Sequence, residues 1–415
     1  MNICCILGSS QELSLAELSA VLTGRGLFFD VIGLGETSVE LSIKNTFNEQ
    51  ELMGHLGGCI KIGSFLCEIS SNALSPTILA DLLFSLTDKR TIYGLSVSSV
   101  SDMPKNKRMN PARLKRLGIA VKRELKQRGR QSRCVISQDS SPTLSSVVVE
   151  KNGLLKEGGV ELLLIEGPKT IRIYQTRAVQ PFEAFSHRDF GRPSRSMSIG
   201  MLPPKIALMM VNISKAPFIP HSSLLDPFCG TGTILQEALL LGVGNCIGTD
   251  INSAALASTQ KNLEWLKKTL SVNTNASITI RKCDAQQLHT LFPSSSISTI
   301  VTETYLGPIV KKNASIDRRI LVDLEKLYYS SFQSFAHILT SGARVVIAWP
   351  FWPSQKCALF LPTLLDSLKG CGFKNITHSL LSPFHLPHSQ RNSILWHREG
   401  QQVGREICVF EFTQT

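Results

Sequence analysis

Apolar and polar positions along the chain follow two periods, and the change between them divides the sequence. Near the amino end, a strand-like ICCIL is followed by a helical pattern from Ser14 to Leu22. Strand-like runs come next, near Phe28 to Ile32, Ser38 to Ile43 and in IKIGSFLCEI. From Tyr93 the strand YGLSVSSV precedes a helical stretch in which Asn110 and Pro111 read as N-cap and first-turn proline. Leu114, Leu117, Val121 and Leu125 fall on one face of that helix. A strand at Arg133 to Ile136, a serine-rich loop and a pair of strands, SSVVVEKN and VELLLIEG, complete the half. Residues 175–200, rich in Arg, Ser, Pro and Phe and weakly periodic, read as a linker. Beyond them strands and helices alternate, which predicts an α/β, doubly wound, mainly parallel sheet over 201–415. The expected order is thus an α+β unit over 1–75, a second compact unit over 76–174, the linker and the C-terminal α/β domain.

Composition changes this picture little. With 415 residues, 43% of them hydrophobic, the chain can bury two or three cores, and its mean hydropathy of +0.08 is that of a globular protein. No apolar run reaches the roughly 18 residues needed to span a bilayer. The start MNICCILGSSQELSLAEL has no basic, long apolar leader, so a cytoplasmic protein without a membrane partner is expected. Eleven cysteines without a CxxC pair fit buried thiols better than disulfides or a zinc site, and no metal is expected.

Charge is more informative. The net charge is +12, yet residues 105–133 alone hold twelve basic residues against one acid, Glu124. Around the apolar face of the helix lie Arg113, Lys115, Arg116, Lys122, Arg123, Lys126 and Arg128. Such a stripe is the footprint of a nucleic-acid phosphate backbone, with a solvated face as the plainer alternative.

Candidate chemistry begins at residues 225–235, LDPFCGTGTIL. An apolar strand, a turn with Gly230 and Gly232, and a helix succeed one another there, a βα turn that a ligand can approach closely. The next strand, NCIGTD, ends in Asp250, whose carboxylate suits the two hydroxyls of a ribose; Asp284 in RKCDAQ is placed to accept from an adenine amino group. Ile234 stands where a dinucleotide fingerprint has its third glycine, and no Gly-Lys-Ser/Thr follows for a triphosphate. Asp226 and the later acids disfavour phosphates and favour a cationic adenosine compound.

Together DPFCGTGT, GTD and KCDA resemble the motifs of class I S-adenosylmethionine-dependent methyltransferases. RDFGRPSRSMSIGMLPPKIALMMVNIS, from Arg188 to Ser214, and LWHREGQQVGREICVFEF, within Arg391 to Phe412, resemble more narrowly the THUMP-containing guanine-N2 tRNA methyltransferases, which modify guanosine 10 of tRNA. The resemblance is specific over 175–415 and looser before it. It implies a ferredoxin-like domain (1–75), a THUMP-like RNA-binding domain (76–174) and a Rossmann-like methyltransferase domain (201–415). It also implies S-adenosylmethionine as cofactor and tRNA as partner, and leaves open a small activator subunit such as some relatives use. Carried onto this sequence, the cofactor residues are Met201, Leu202, Pro203, Asp226, Phe228, Gly230, Gly232, Thr233, Asp250, Ile251, Asp284 and Ala285. The RNA-binding residues are Lys115, Arg116, Lys122, Arg123, Lys126, Arg128, Arg188 and Arg192, the last two with salt-bridged linker anchors as an equal reading.

The sequence departs from the family at one place. Where its members carry D/N-P-P-Y after the fourth strand, this chain has STIVTETYLGP: without a gap Glu303 takes the acidic position and Thr304-Tyr305-Leu306 replace Pro-Pro-Tyr, whereas shifted by one Tyr305 keeps the aromatic position and Thr302 loses the acid, so Glu303, Thr304 and Tyr305 become the catalytic candidates. Glu303 offers an acceptor for an exocyclic amine and Tyr305 a stacking ring, in a geometry changed by a longer acid and absent prolines. Trp349, Phe351 and Trp352 serve either as a wall of the base pocket or as core. Three functions remain: a tRNA guanine-N2 methyltransferase, a methyltransferase of another nucleic-acid amine such as adenine N6 or cytosine N4, and a cofactor- and RNA-binding protein without catalysis.

Overall fold

The structure is a computed structural model, described here for residues 1–88, 90–137, 141–195, 201–270, 276–308, 316–353, 358–387, 389–398 and 400–414. It comprises two compact units, one of residues 1–14 and 26–184, the other of residues 15–25 and 185–415.

The first unit is built on one sheet. Its strands are β1 (Asn2–Leu7), β2 (Phe29–Leu34), β3 (Ser38–Ile43), β4 (Cys59–Ser70), β5 (Arg90–Ser99), β6 (Gln131–Val135), β7 (Gly159–Glu166) and β8 (Thr170–Val179). They lie in the order β2-β3-β1-β4-β8-β7-β5-β6, with β5 parallel to β6 and β7 and the other pairs antiparallel. The twelve-residue β4 runs alongside both β1 and β8, so a single sheet crosses the boundary expected near residue 75. Every residue of β7 is buried, as its near-continuous apolar sequence requires. The exception to that sequence, Glu161, is satisfied by Lys61 Nζ at 2.5 Å, Ser96 Oγ at 2.5 Å and Thr176 Oγ1 at 2.7 Å.

Two expectations change here. SSVVVEKN is a helix, Ser146–Lys151, rather than a strand, because Ser145 Oγ caps it by accepting from the Val148 amide; β-branched content misled where capping decided. The segment read as a linker is ordered at its start: β8 extends to Val179, and Phe182–Phe190 is a helix. Its alternating residues pair with β4, which local periodicity did not show.

The second unit holds β9 (Ser223–Asp226), β10 (Asn245–Asp250), β11 (Ser277–Lys282), β12 (Ile297–Glu303), β13 (Leu339–Phe351), β14 (Phe373–Asn375), β15 (Ile394–Trp396) and β16 (Gly404–Phe412). The order is β11-β10-β9-β12-β13-β16-β14, with β15 against β16. The pairs from β11 to β13 are parallel, and β16 runs antiparallel between β13 and β14. This is the doubly wound sheet the alternation predicted. The chain leaves β9 toward β10 on one side and returns as β12 on the other, so the carboxyl ends of β9 and β12 flank the crevice where such sheets take ligands.

Below that crevice the core is aromatic. Helix Arg318–Ile338 buries Leu321, Leu324, Tyr328, Phe332 and Phe335 on one face, and Phe332 meets Phe373 edge to face at 4.7 Å and 84°. Trp349, Phe351 and Trp352 are all buried, Trp349 donating from Nε1 to Glu406 Oε2 at 2.8 Å. They serve as core, not as the wall of a base pocket.

Candidate functional site

The site starts with the turn after β9. Gly230 and Gly232 both have left-handed backbones, at φ +53° and +78°, which explains the two glycines. Their surroundings differ. A Cβ on Gly232 would stand 2.8 Å from the Thr259 side chain, whereas one on Gly230 would meet nothing nearer than 3.9 Å, so open space lies in front of the first glycine. Helix Ser253–Thr269 holds the turn from behind: Thr259 Oγ1 donates to Gly230 O at 2.7 Å and Asn262 Nδ2 to Thr231 O at 2.9 Å.

Around that space the strand ends bring four carboxylates together. Asp226, at the end of β9, is 2% exposed and accepts from Thr302 Oγ1 at 2.7 Å and from the Phe228 amide at 3.3 Å. Burial pushes its carboxyl up to about 8, with Asp250 and Glu303 adding to the rise. Asp250 ends β10, its two oxygens accepting from the Gly230 amide at 3.0 Å and the Asn252 amide at 2.8 Å. A carboxylate takes about four hydrogen bonds, so it retains capacity for a diol. Ile251 beside it is 66% exposed, an apolar surface without a protein neighbour to cover it. Asp284 follows β11 and caps the turn Ala285–Thr290 through the Gln286 amide at 2.9 Å, with Ala285 buried.

The remaining cofactor candidates join this group. Phe228 and Thr233 bracket the glycine turn, Thr231 Oγ1 donates to Met201 Sδ at 3.8 Å, and Leu202 and Pro203 are buried at the start of helix Pro204–Ile213. Cys229 is packed inside the turn with its thiol pushed up by burial, which leaves it no nucleophilic role.

Glu303 terminates β12 across the crevice from Asp226. Its side chain is 17% exposed, and Oε1 accepts from Arg405 Nε at 2.9 Å. Burial raises its carboxyl above the ordinary range and Arg405 pulls it back. Tyr305 is 50% exposed, a ring open to stacking, while its carbonyl accepts from the Tyr328 hydroxyl. Thr304 differs from expectation: it is buried, its amide and Oγ1 both donating to Ala348 O at 3.0 and 3.3 Å. It fixes the backbone between Glu303 and Tyr305 and is turned away from any substrate.

Two RNA candidates also change. Arg188 donates from Nε to the buried Glu237 at 2.8 Å, and Arg192, 3% exposed, donates from Nη1 to Thr233 Oγ1 at 2.7 Å. Arg188 is half-buried and Arg192 buried, both held by protein partners, the reading of them as linker anchors; Arg192 ties the RDFGRP segment to the helix that leaves the glycine turn. In the first unit, helix Pro111–Gln127 buries Leu114, Gly118, Val121 and Leu125, with Asn110 Oδ1 capping the Arg113 amide at 2.8 Å. Gly118 is buried where Leu117 is half-buried, and the Tyr93 hydroxyl donates to the Gly118 carbonyl at 2.7 Å. Lys115, Arg116, Lys122, Arg123 and Lys126 are exposed, whereas Arg128 is ion-paired with Asp81 and Glu124. Lys122 and Lys126 line, with Arg90 and Arg133, an open depression of about 560 Å³.

Arg405 and Tyr328 were not anticipated as site residues. Arg405 lies in the C-terminal segment that carried the resemblance, but its partner is 102 residues away in sequence, and nothing local marks the pair.

A doubly wound sheet with a glycine turn and acidic strand ends of this kind is a Rossmann-like fold. Residues 192–351 match the family model described as UPF0020: RMKL-like, methyltransferase domain. The chain is 27% identical over 206 residues, 48% of its length, to the tRNA (guanine(10)-N2)-dimethyltransferase of Pyrococcus abyssi. It is 30% identical over 167 residues, 40% of its length, to the enzyme of the same name from Methanothermobacter thermautotrophicus. These matches span 56% and 42% of the two relatives, about half their length. TrmN from Thermus thermophilus shares the fold, at a TM-score of 0.55 and 17% identity over 99% of each chain. Among the described residues, no helix is long and apolar enough to cross a membrane.

Proposed function

We propose that the chain is an S-adenosylmethionine-dependent methyltransferase acting on the exocyclic N2 of a guanosine in tRNA, at the position its relatives' name gives, guanosine 10. The observation that carries this reading is the crevice between β9 and β12, which sets an open, left-handed glycine turn ringed by acids opposite Glu303 and the exposed Tyr305. The sequence likeness to tRNA guanine-N2 methyltransferases supports the choice of amine.

The residues present fit the cofactor. Space in front of Gly230 admits a ligand against the backbone, Asp250 retains acceptor capacity for a ribose, Ile251 offers a face for a base, and Asp226 supplies a buried carboxyl whose ionised form a bound cation favours. When bound, S-adenosylmethionine supplies a methyl group on a positively charged sulfur, which a nitrogen lone pair takes as the sulfur leaves neutral. The chain's own contribution is alignment and charge. Tyr305 presents its ring to the base plane, with Tyr328 and Thr304 holding the backbone on either side of it. Glu303 accepts from the amine, directs its lone pair and takes the proton released on methylation, passing it to water.

Basic residues of the first unit, in this reading, grip the tRNA backbone, as a THUMP-like domain would. Lys115, Lys122 and Lys126 changed together to Glu are expected to weaken tRNA binding at least about tenfold and to lower the salt dependence of binding by roughly two to three ions, while cofactor affinity stays unchanged. Filter binding across a salt series, with calorimetry of the cofactor, checks this; an unchanged salt slope assigns the helix a solvated role.

A further inference from the structure

Glu303 and Arg405 stand on strands that are not neighbours. In the sheet β13 lies between β12 and β16, Glu303 being registered with Ala348, and Arg405 with Pro350. The Arg405 side chain therefore passes over the carboxyl end of β13 to reach Glu303. It arrives constrained: it is 3% exposed, Nη1 is within 3.4 Å of both Gln401 Oε1 and Val403 O, and its guanidinium lies 5.4 Å from the centre of the Trp396 ring. Its carboxylate partner is less enclosed, with 17% of its side chain exposed. A buried ion pair serving packing alone gains most by enclosing both partners, since an exposed edge weakens the attraction.

We propose that Arg405 is a positioning residue, clamping one oxygen of Glu303 so that the carboxyl presents its other oxygen to the substrate amine. The proposal rests on the methyltransferase reading for the identity of that amine, but not for the clamp itself. The titratable groups facing Glu303 are Asp226 from β9, Tyr328 from helix Arg318–Ile338 and Arg405 from β16. Burial opposes ionisation of Glu303 and Arg405 alone among these favours it, so losing the guanidinium leaves the opposition unchecked. In the motif of the family this chain resembles, a proline carbonyl shares the hold on the amine. Here neither proline is present, and a longer acid held from a distant strand is the compensating feature.

The test is the titration of Glu303 in the full chain, followed by carbon-13 NMR of side-chain carboxyl-labelled glutamate and assigned by the signal lost in Glu303→Gln. Arg405→Met, which keeps the stem against Trp396, is expected to move the midpoint up by about 1 to 3 pH units, and Arg405→Lys to keep it near wild type. The acid limb of kcat for methyl transfer should move upward with it. An unmoved midpoint in folded Arg405→Met overturns the clamp, as does a loss of activity equal at every pH. If Arg405→Met does not fold, Arg405→Lys with acid limb and midpoint at wild-type values supports the clamp, and a limb shifted downward overturns it. A midpoint that moves as expected while wild type methylates no guanosine upholds the clamp and refutes the functional reading instead.

Discussion

Glu303→Gln is expected to lower kcat for methyl transfer by about 10²- to 10⁴-fold, the range a positioned proton acceptor supplies, with cofactor and tRNA affinities within about threefold of wild type. Glutamine keeps the length and an acceptor oxygen, so the amine is still met, but it takes no proton. The effect should fall on kcat because Glu303 ends β12, across the crevice from the glycine turn. The substitution disturbs the bond with Arg405 at 2.9 Å and removes the negative charge that helps raise Asp226, so the melting temperature is the needed control. Rapid-quench turnover on unmodified tRNA, alongside calorimetry with S-adenosylmethionine, makes the measurement. Full activity in Glu303→Gln assigns the proton to another acceptor and removes Glu303 from the mechanism.

Asp226→Asn should act on binding instead, and with opposite signs for affinity and stability. In the ligand-free chain the Asp226 carboxyl is pushed up to about 8 from an ordinary value of 3.8. A folded-state value above the unfolded one stabilises the fold fully only below about pH 4, and that contribution is lost as pH rises toward 8. Asparagine mimics the neutral form and does not titrate. The variant should therefore match wild type in acid and become progressively more stable than it up to about pH 8, beyond which the difference levels off. Cofactor affinity moves the other way. A cationic ligand favours the ionised carboxylate, so wild-type affinity should climb with pH and flatten near 8, whereas Asp226→Asn should bind about 10- to 100-fold more weakly at pH 8 without this part of the slope. Thermal melts and calorimetry from pH 5 to 9 read both trends. Equal affinity in the two proteins at pH 8 places the cation elsewhere.

Much of the site could be read in the sequence because it depends on short-range rules. A strand, two glycines and a helix dictate the turn at Gly230 and Gly232, and an acid at the end of each successive strand is visible as Asp226, Asp250 and Asp284. The structure gathers those positions at one edge of the sheet. The helix over Pro111–Gln127 was equally plain, since a cap, a first-turn proline and a 3.6-residue apolar period coincide there. What escaped reading depends on separation. Arg405 meets Glu303 only because β13 spaces their strands. Arg188 and Arg192 look like phosphate contacts by composition and are engaged by Glu237 and Thr233, residues forty and more positions away. Thr304 fell inside a catalytic motif by alignment, but the pleat alternates neighbouring side chains, which turned it toward Ala348. The helix at Ser146–Lys151 and the ordered start of the supposed linker were missed for a related reason, a capping serine in one case and a distant strand partner in the other.

The central claim is that this crevice transfers a methyl group to N2 of a guanosine in tRNA. Its most direct test is incubation of the purified chain with methyl-labelled S-adenosylmethionine and unmodified tRNA, followed by digestion to nucleosides and mass spectrometry. Labelled N2-methylguanosine, mapped to position 10 and absent with Glu303→Gln, is the expected result. Tight binding of both cofactor and tRNA with no labelled nucleoside, or label on adenine N6 or cytosine N4, would contradict it.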